Sequence, residues 1–481
     1  MPLVDAGAEH ARVSPYHISM RIEDRPTHLQ QQLRRLARLC VTVFYGRFEV
    51  QGLEHIPARG PVLLCANHAN AIIDGVIMLA AYPGLLRPLA RSGLFNAPLL
   101  GAMLRAQGAV PVYRREDVDS HGGNPSVNNE AAFSRCYEMF ASGASLLIFP
   151  EGQSHSDPHL HEFKTGAARL VLGAEHANGR APQVIPVGLT FTRKGRFRGD
   201  VLVQFGEPVS FAEQDINAEQ DQVRAYTEAI ETGAARVTLN SDSWDSLNFA
   251  RQIERFIALR RGRYRRRTLA QRFLALQRLM QIQQLIAERE PRRLEILHER
   301  LEGFSNLCDR FGVRDYHLTV RYSPGVMAAF MLRGMVMLCL VVPLALWGWL
   351  NSAMPFYATR YLAPLLSANP DQYDSAKLGL GALLFGSLWL AQSLVVGWWL
   401  GPGWAMAYAV SLPVSAALAL FMVRERRRLR ENLRAFWSLL GKGDLRRLLE
   451  QRRAELEQDL ASLARIFRRQ CDTRGRQAGD S

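Results

Sequence analysis

Pro61-Val62-Leu63-Leu64-Cys65-Ala66 runs directly into Asn67-His68-Ala69-Asn70-Ala71-Ile72-Ile73-Asp74. The first six residues form the short apolar run that a strand buried on both faces requires, and residues 73–81 that follow have helical character. A strand that ends in polar residues just ahead of a helix is the unit of an α/β sheet, whose working side chains gather in loops at strand ends. Four more such runs follow, at 109–113, 145–150, 184–189 and 201–205, with helical stretches at 97–106, 130–141 and 166–176 between them. The sequence therefore predicts an α/β domain over residues 48–212, with five strands in a mostly parallel sheet covered by helices.

Outward from this domain the composition changes. Residues 28–45, within an N-terminal segment (1–47), carry Leu33, Leu36, Leu39, Cys40, Val43 and Phe44 at helical spacing beside Arg34, Arg35 and Arg38. Such an amphipathic helix either lies on a membrane or packs on its own domain, and the pattern suits both. Residues 1–16 have no apolar core, which is not the pattern of a secretory signal, so the front domain is expected to stay in the cytoplasm. Beyond Gly206 the strand signal fades. Helical stretches at 218–240 and 247–310, broken at Pro291, define a helical linker or subdomain over 213–323.

Residues 334–359 and 378–423 contain no Lys, Arg, Asp or Glu, and mark 324–423 as a membrane-embedded region. The second run is long enough for two crossings of roughly 20 residues each, separated at Gly401-Pro402-Gly403. Pro343 and Pro355 interrupt the first run, which either crosses once or enters and folds back. The chain of 481 residues has a net charge of +14, concentrated in Arg260–Arg267 and, after the last apolar run, in the basic helical tail 424–481. Arginines directly after a membrane segment suit a cytoplasmic, anionic leaflet better than nucleic acid. Basic flanks on both sides require an even number of crossings, so either the first run does not span, which is the expectation here, or residues 357–366 complete a fourth leg despite Arg360. Six cysteines without a C-x-x-C pair suit a reducing compartment and packing roles.

The strand ends carry the chemistry. A histidine at a strand end with a carboxylate near it can be fixed in the tautomer that leaves one ring nitrogen basic, as deprotonation of an alcohol requires. In one regular helix His68 and Asp74 would lie on different faces, so the pair works only if His68 sits in the loop before the helix. The run Gly108-Ala109-Val110-Pro111-Val112-Tyr113-Arg114-Arg115 ends a strand in two guanidinium groups, which suit a phosphate or an exposed turn. Phe149-Pro150-Glu151-Gly152-Gln153-Ser154 ends another, and Phe163-Lys164-Thr165-Gly166 follows it. Glu151 can accept from substrate hydroxyls or hold an arginine, and Gly152 lets backbone amides approach a ligand. Lys164 is either a second phosphate cation or a solvated residue at a helix start.

These blocks, in this order and followed by Val184-Ile185-Pro186-Val187, resemble the four motifs of the glycerolipid acyltransferases, the glycerol-3-phosphate and lysophosphatidic acid acyltransferases. The resemblance covers roughly residues 48–208. It implies His68 as general base, Asp74 as its orienting partner, Gly108 and Arg114 in the glycerol phosphate site, Glu151 and Gly152 in the third motif, and Pro186 in acyl-donor binding. The usual pattern has four residues between His and Asp, whereas five stand here, with Asn70 among them. That spacing, with a membrane region behind the domain, is similar to the fungal glycerol-3-phosphate and dihydroxyacetone phosphate acyltransferases and their bacterial relatives. The implied partners are membrane lipid, a glycerol phosphate acceptor and acyl-CoA or acyl carrier protein as cosubstrate, with no bound cofactor. His155, Asp157, His159 and His161 alternate in a loop without a standard ligand pattern, so no metal is expected. No G-x-S-x-G elbow surrounds Ser154, which favours direct transfer over an acyl-enzyme.

Overall fold

The computed structural model describes residues 26–113, 125–194, 196–211, 219–260, 267–313, 332, 334–367, 372–439 and 443–477. They belong to two compact units, Met1–Ser156 with Leu160–Asn240, and Asp157–His159 with Ser241–Ser481.

The first unit holds a seven-stranded sheet: β1 (Arg47–Gln51), β2 (Val62–Ala66), β3 (Leu86–Arg91), β4 (Val110–Val112), β5 (Ser145–Ile148), β6 (Gln183–Phe191) and β7 (Asp200–Phe205). Their order is β1-β7-β6-β2-β5-β3-β4. All described pairings are parallel except that of β6 with β7. The expected five strands are β2 and β4 to β7, so the sheet gains two. β1, Arg-Phe-Glu-Val-Gln, alternates polar and apolar residues as a half-covered edge strand does. β3, Leu-Arg-Pro-Leu-Ala-Arg, carries a proline and two arginines, so no apolar run betrays it.

Six helices accompany the sheet: α1 (His28–Phe44), α2 (Ile72–Ala81), α3 (Pro98–Gln107), α4 (Pro125–Ala141), α5 (Gly166–Asn178) and α6 (Glu219–Val237). On one face Leu63, Cys65, Leu146 and Val184 pack with Phe140 of α4, Leu170 and Val171 of α5, and Ile230 and Ala234 of α6. The α/β unit therefore reaches Asn240 rather than residue 212, because α6 covers the β6 side of the core. Gly188 sets how close that cover lies: a Cβ there would stand 1.8 Å from the Val237 carbonyl oxygen.

The N-terminal helix also belongs to this unit. A capping box between Thr27 and Gln30 starts α1, and Ala37, Val41 and Phe44 are buried beneath it. Two of its arginines, the half-buried Arg34 and the exposed Arg38, bond the neighbouring chain. Arg34 donates to the Pro83 carbonyl and Arg38 Nε to the Ala80 carbonyl at 3.0 Å, so both guanidinium groups satisfy acceptors at or just beyond the C-terminal end of α2. Burial, and then Arg38 beside it, draws the Arg34 guanidinium down to about 10, which still leaves it charged at neutral pH. Leu29, Leu36, Leu39 and Val43 are left on the outer surface.

In the second unit α7 (Trp244–Arg260), α8 (Leu269–Arg289), α9 (Pro291–Arg310) and α13 (Gly443–Gln477) share a core. Phe249, Phe256, Leu297, Phe304, Leu449 and Leu456 build it, and Arg300 pairs with Asp459 at 2.6 Å. Between these helices in sequence come α10 (Val342–Leu365), α11 (Tyr373–Leu400) and α12 (Pro402–Leu439). Two stretches among the described residues, Tyr373–Leu400 and Pro402–Met422, are long and apolar enough to cross a membrane. α10, with Pro355, Pro364 and Arg360 inside it, is not one of them. α10 and α12 meet at small residues: a Cβ on Gly348 would stand 2.1 Å from the Ser415 carbonyl oxygen, and the Tyr408 hydroxyl donates to Asn351 Oδ1 at 2.7 Å.

Candidate active site

β2 and β5 are parallel neighbours, so the loops after Ala66 and Ile148 leave the sheet at the same end. His68 and Glu151 stand in those loops. Asn67 extends the sheet by one step: its backbone N–H donates to the Val187 carbonyl at 3.3 Å, and its side chain exchanges hydrogen bonds with the backbone of Leu189 at 2.7 and 3.2 Å. The chain then turns, and Ala71 precedes α2 at φ 49°, ψ −134°, a conformation uncommon for a residue with a Cβ. That turn keeps His68 out of the helix. His68 Nδ1–H donates to Asp74 Oδ2 at 2.9 Å, and the Asn70 backbone N–H donates to the same oxygen at 2.6 Å.

Asp74 is fully buried in the first turn of α2, where the helix dipole favours a carboxylate. With its Oδ2 facing Nδ1, the proton of a neutral imidazole belongs on Nδ1, which leaves Nε2 as the unprotonated ring nitrogen. Nε2 has no hydrogen-bond partner among the described residues, and the His68 side chain is 17% exposed. Phe149 stacks on the imidazole at 4.2 Å between centroids. The pair is thus a buried carboxylate orienting a partly open histidine, the arrangement of a general base. Cys65, two residues before Asn67, is no rival nucleophile, because burial pushes its thiol far above the usual range.

The other expected site residues divide. Glu151 is turned inward: its side chain has no exposed surface, and Oε2 accepts from the His68 backbone N–H at 3.0 Å and from His155 Nε2 at 2.9 Å. Gly152 adopts φ 75° in the turn after β5, with the Lys164 stem beside it, and the Lys164 residue is exposed. Asn70 is completely buried. These four and the His68–Asp74 pair come together at one end of β2 and β5. Gly108 lies elsewhere, as the left-handed C-cap of α3 before β4 begins. Pro186 is inside β6, opposite Cys65, and its carbonyl accepts from Gly206 N–H at 2.8 Å. Arg114 lies outside the described residues; Tyr113 just before it is held by two bonds to Asn129 at 2.8 and 2.9 Å. Asn67 and Phe149 were not singled out in the sequence, and His155 was weighed there only as a metal ligand, because neither spacing nor composition tells which loop residue folds back onto another strand.

A cavity of ≈ 410 Å³ lies at the opposite end of the strands, lined by residues such as Pro57, Arg59, Arg180 and Phe211. It holds none of these groups.

Residues 47–190 match the Acyltransferase family. The chain is 28% identical over 162 residues to the chloroplastic 1-acyl-sn-glycerol-3-phosphate acyltransferase of Arabidopsis thaliana, a match covering 33% of this chain and 40% of that protein. It is 26% identical over 137 residues to glycerol-3-phosphate O-acyltransferase 1 of Saccharomyces cerevisiae, covering 27% of this chain and 18% of the yeast protein. The chain thus spans less than half the length of either relative. The crystal structure of the 1-acyl-sn-glycerophosphate acyltransferase PlsC from Thermotoga maritima matches 43% of this chain and 79% of its own, at 20% identity and a TM-score of 0.32. The α/β unit of this chain carries an acyltransferase-family domain.

Proposed function

We propose that the protein transfers a fatty acyl group from a thioester, acyl-CoA or acyl carrier protein, to a hydroxyl of glycerol-3-phosphate. The observation that carries this reading is the 2.9 Å bond from His68 Nδ1 to a fully buried Asp74, which leaves Nε2 available at a strand end of an acyltransferase-family domain. As the acceptor oxygen attacks the thioester carbonyl carbon, its proton passes to His68 Nε2. The tetrahedral adduct then expels the thiolate, which takes that proton and leaves as the free thiol. No bound cofactor takes part. Asp74 stabilises the imidazolium while it exists, and Arg114 with Lys164 supplies the cations for the acceptor's phosphate.

Similarity to a plant 1-acyl-sn-glycerol-3-phosphate acyltransferase supports a second acceptor, and dihydroxyacetone phosphate is a third. The pair Tyr373–Leu400 and Pro402–Met422 supports a hairpin anchor, and the arginines that begin at Arg424 support a cytoplasmic face for the chain on either side of it. Membranes containing the protein are assayed with labelled glycerol-3-phosphate and acyl-CoA, beside samples with each alternative acceptor and with acyl carrier protein thioesters. Labelled lysophosphatidic acid formed by the wild type and not by His68→Ala is the expected result. A His68→Ala protein that keeps the wild-type rate overturns the mechanism, and wild-type transfer only to another acceptor moves the substrate assignment there.

A further inference from the structure

The transfer chemistry assigns nothing to His155, yet the structure ties it to the catalytic loop by three links. The segment after β5 folds back over the end of β2, and the His155 backbone N–H donates to the His68 carbonyl at 3.1 Å. On the other side of the same residue, the His68 backbone N–H donates to Glu151 Oε2 at 3.0 Å. His155 Nε2–H closes the ring by donating to that oxygen at 2.9 Å. Residues 151 and 155 thus grip the His68 residue at both its N–H and its carbonyl, and are bonded to each other.

Burial makes the ring demanding. Glu151 has no exposed side-chain surface and His155 only 11%. Glu151 Oε1 is buried without a hydrogen-bond partner among the described residues, so His68 N–H and His155 Nε2–H are the donors this carboxylate has there. Taking one away leaves a buried acceptor poorly satisfied, which favours rotation of the Glu151 side chain and releases its hold on His68. His155 is itself held: the His161 ring lies parallel to it at 3.6 Å, and Lys194 Nζ donates to its carbonyl at 2.8 Å and to Ser156 Oγ at 2.9 Å.

We propose that His155 is a positioning residue for His68, acting through Glu151: it fixes the carboxylate that fixes the backbone of the general base. The proposal rests on His68 being that base. A displacement of about 1 Å at a reacting group lowers rate roughly 10²-fold, whereas substrate contacts elsewhere are untouched, so the signature is a loss in kcat at constant KM.

Full-length H155F, H155Q and H68A are purified beside the wild type, and initial rates are measured against acceptor and donor, normalised to the folded fraction by circular dichroism. H155F keeps a ring for His161 but has no donor. In H155Q the amide nitrogen reaches where Nε2 stood. The expected result is a fall of about 10- to 100-fold in kcat for H155F at unchanged KM for both substrates, and recovery of most of that rate in H155Q. If H155F does not fold, H155N replaces it, since its amide reaches only as far as Nδ1 and cannot bond Glu151. Wild-type kcat in the donor-less variant, a loss that only follows the unfolded fraction, a rise in KM alone, or no recovery in H155Q overturns the proposal. H68A separates the two readings: if it retains wild-type rate, His68 is not the base, whereas an inactive H68A beside a fully active H155F removes only the role of His155.

Discussion

Ala71 resolves the geometric difficulty posed by five residues between His68 and Asp74. At φ 49°, ψ −134° it breaks the chain direction between the loop and α2, so that the imidazole comes back over the first helical turn. Holding a residue with a Cβ there stores strain of about 1–3 kcal/mol. Ala71→Gly is expected to raise stability by roughly 1 kcal/mol in urea unfolding, and Ala71→Val to lower it by about 1–3 kcal/mol while also reducing kcat. Asp74→Asn probes the electrostatic half of the pair. Asp74 Oδ2 accepts two N–H groups, and an amide that turns its NH2 toward Nδ1 stabilises the wrong tautomer, with Nε2 protonated. A kcat lower by about 10²–10⁴, with the thermal transition nearly retained, is the expected outcome of steady-state kinetics and a melting scan. That His68 and Glu151 stand in loops just past apolar strands was legible in the sequence, because each follows an apolar run closely, and the helix that carries Asp74 was legible from its apolar residues. The inward turn of Glu151 was not legible, since it depends on a partner four positions along a non-helical loop that spacing rules do not cover.

At the scale of elements, the surprise is how α1 and α6 attach to the sheet domain. A helical wheel places the arginines of α1 on a polar outer face, yet Arg38 serves the Ala80 carbonyl in the last turn of α2, Arg34 serves the Pro83 carbonyl just beyond it, and leucines face outward. Arg38→Ala is expected to destabilise the domain by about 1–2 kcal/mol, read from a denaturant midpoint, because the Ala80 carbonyl loses a charged donor. Gly188→Ala tests the attachment of α6. A methyl group 1.8 Å from the Val237 oxygen forces helix and strand apart, so a loss of about 1–3 kcal/mol is expected, and a variant as stable as the wild type would show that α6 does not press on β6. Pattern reading found the helices and the fully buried strands well, because each has one period and one environment. It missed β1 and β3, whose polar residues and Pro88 interrupt the apolar signal, and it divided the domain at residue 212, where strands end but the packing against β6 does not.

For the whole molecule the unresolved relation between charge and hydrophobicity becomes a topology. Tyr373–Leu400 and Pro402–Met422 are joined only by Gly401, and arginines begin at Arg424 directly after the second apolar stretch. Leu390, Leu394, Trp398, Trp399 and Trp404 are all more than half exposed, a surface that water would disfavour and hydrocarbon or its interface would accept. Two crossings return the chain to the side it left, so a basic tail and the α/β unit should share one face while the Gly401 turn reaches the other. Single cysteines at Gly403 and at Arg430 in an otherwise cysteine-free protein report this directly. In sealed right-side-out vesicles, an impermeant maleimide is expected to label position 403 and to reach position 430 only after permeabilisation. Inverted vesicles should reverse the pattern. Labelling of both positions from one side would mean that α11 and α12 lie along the membrane rather than through it, and the hairpin anchor would then be wrong even with the catalytic assignment intact.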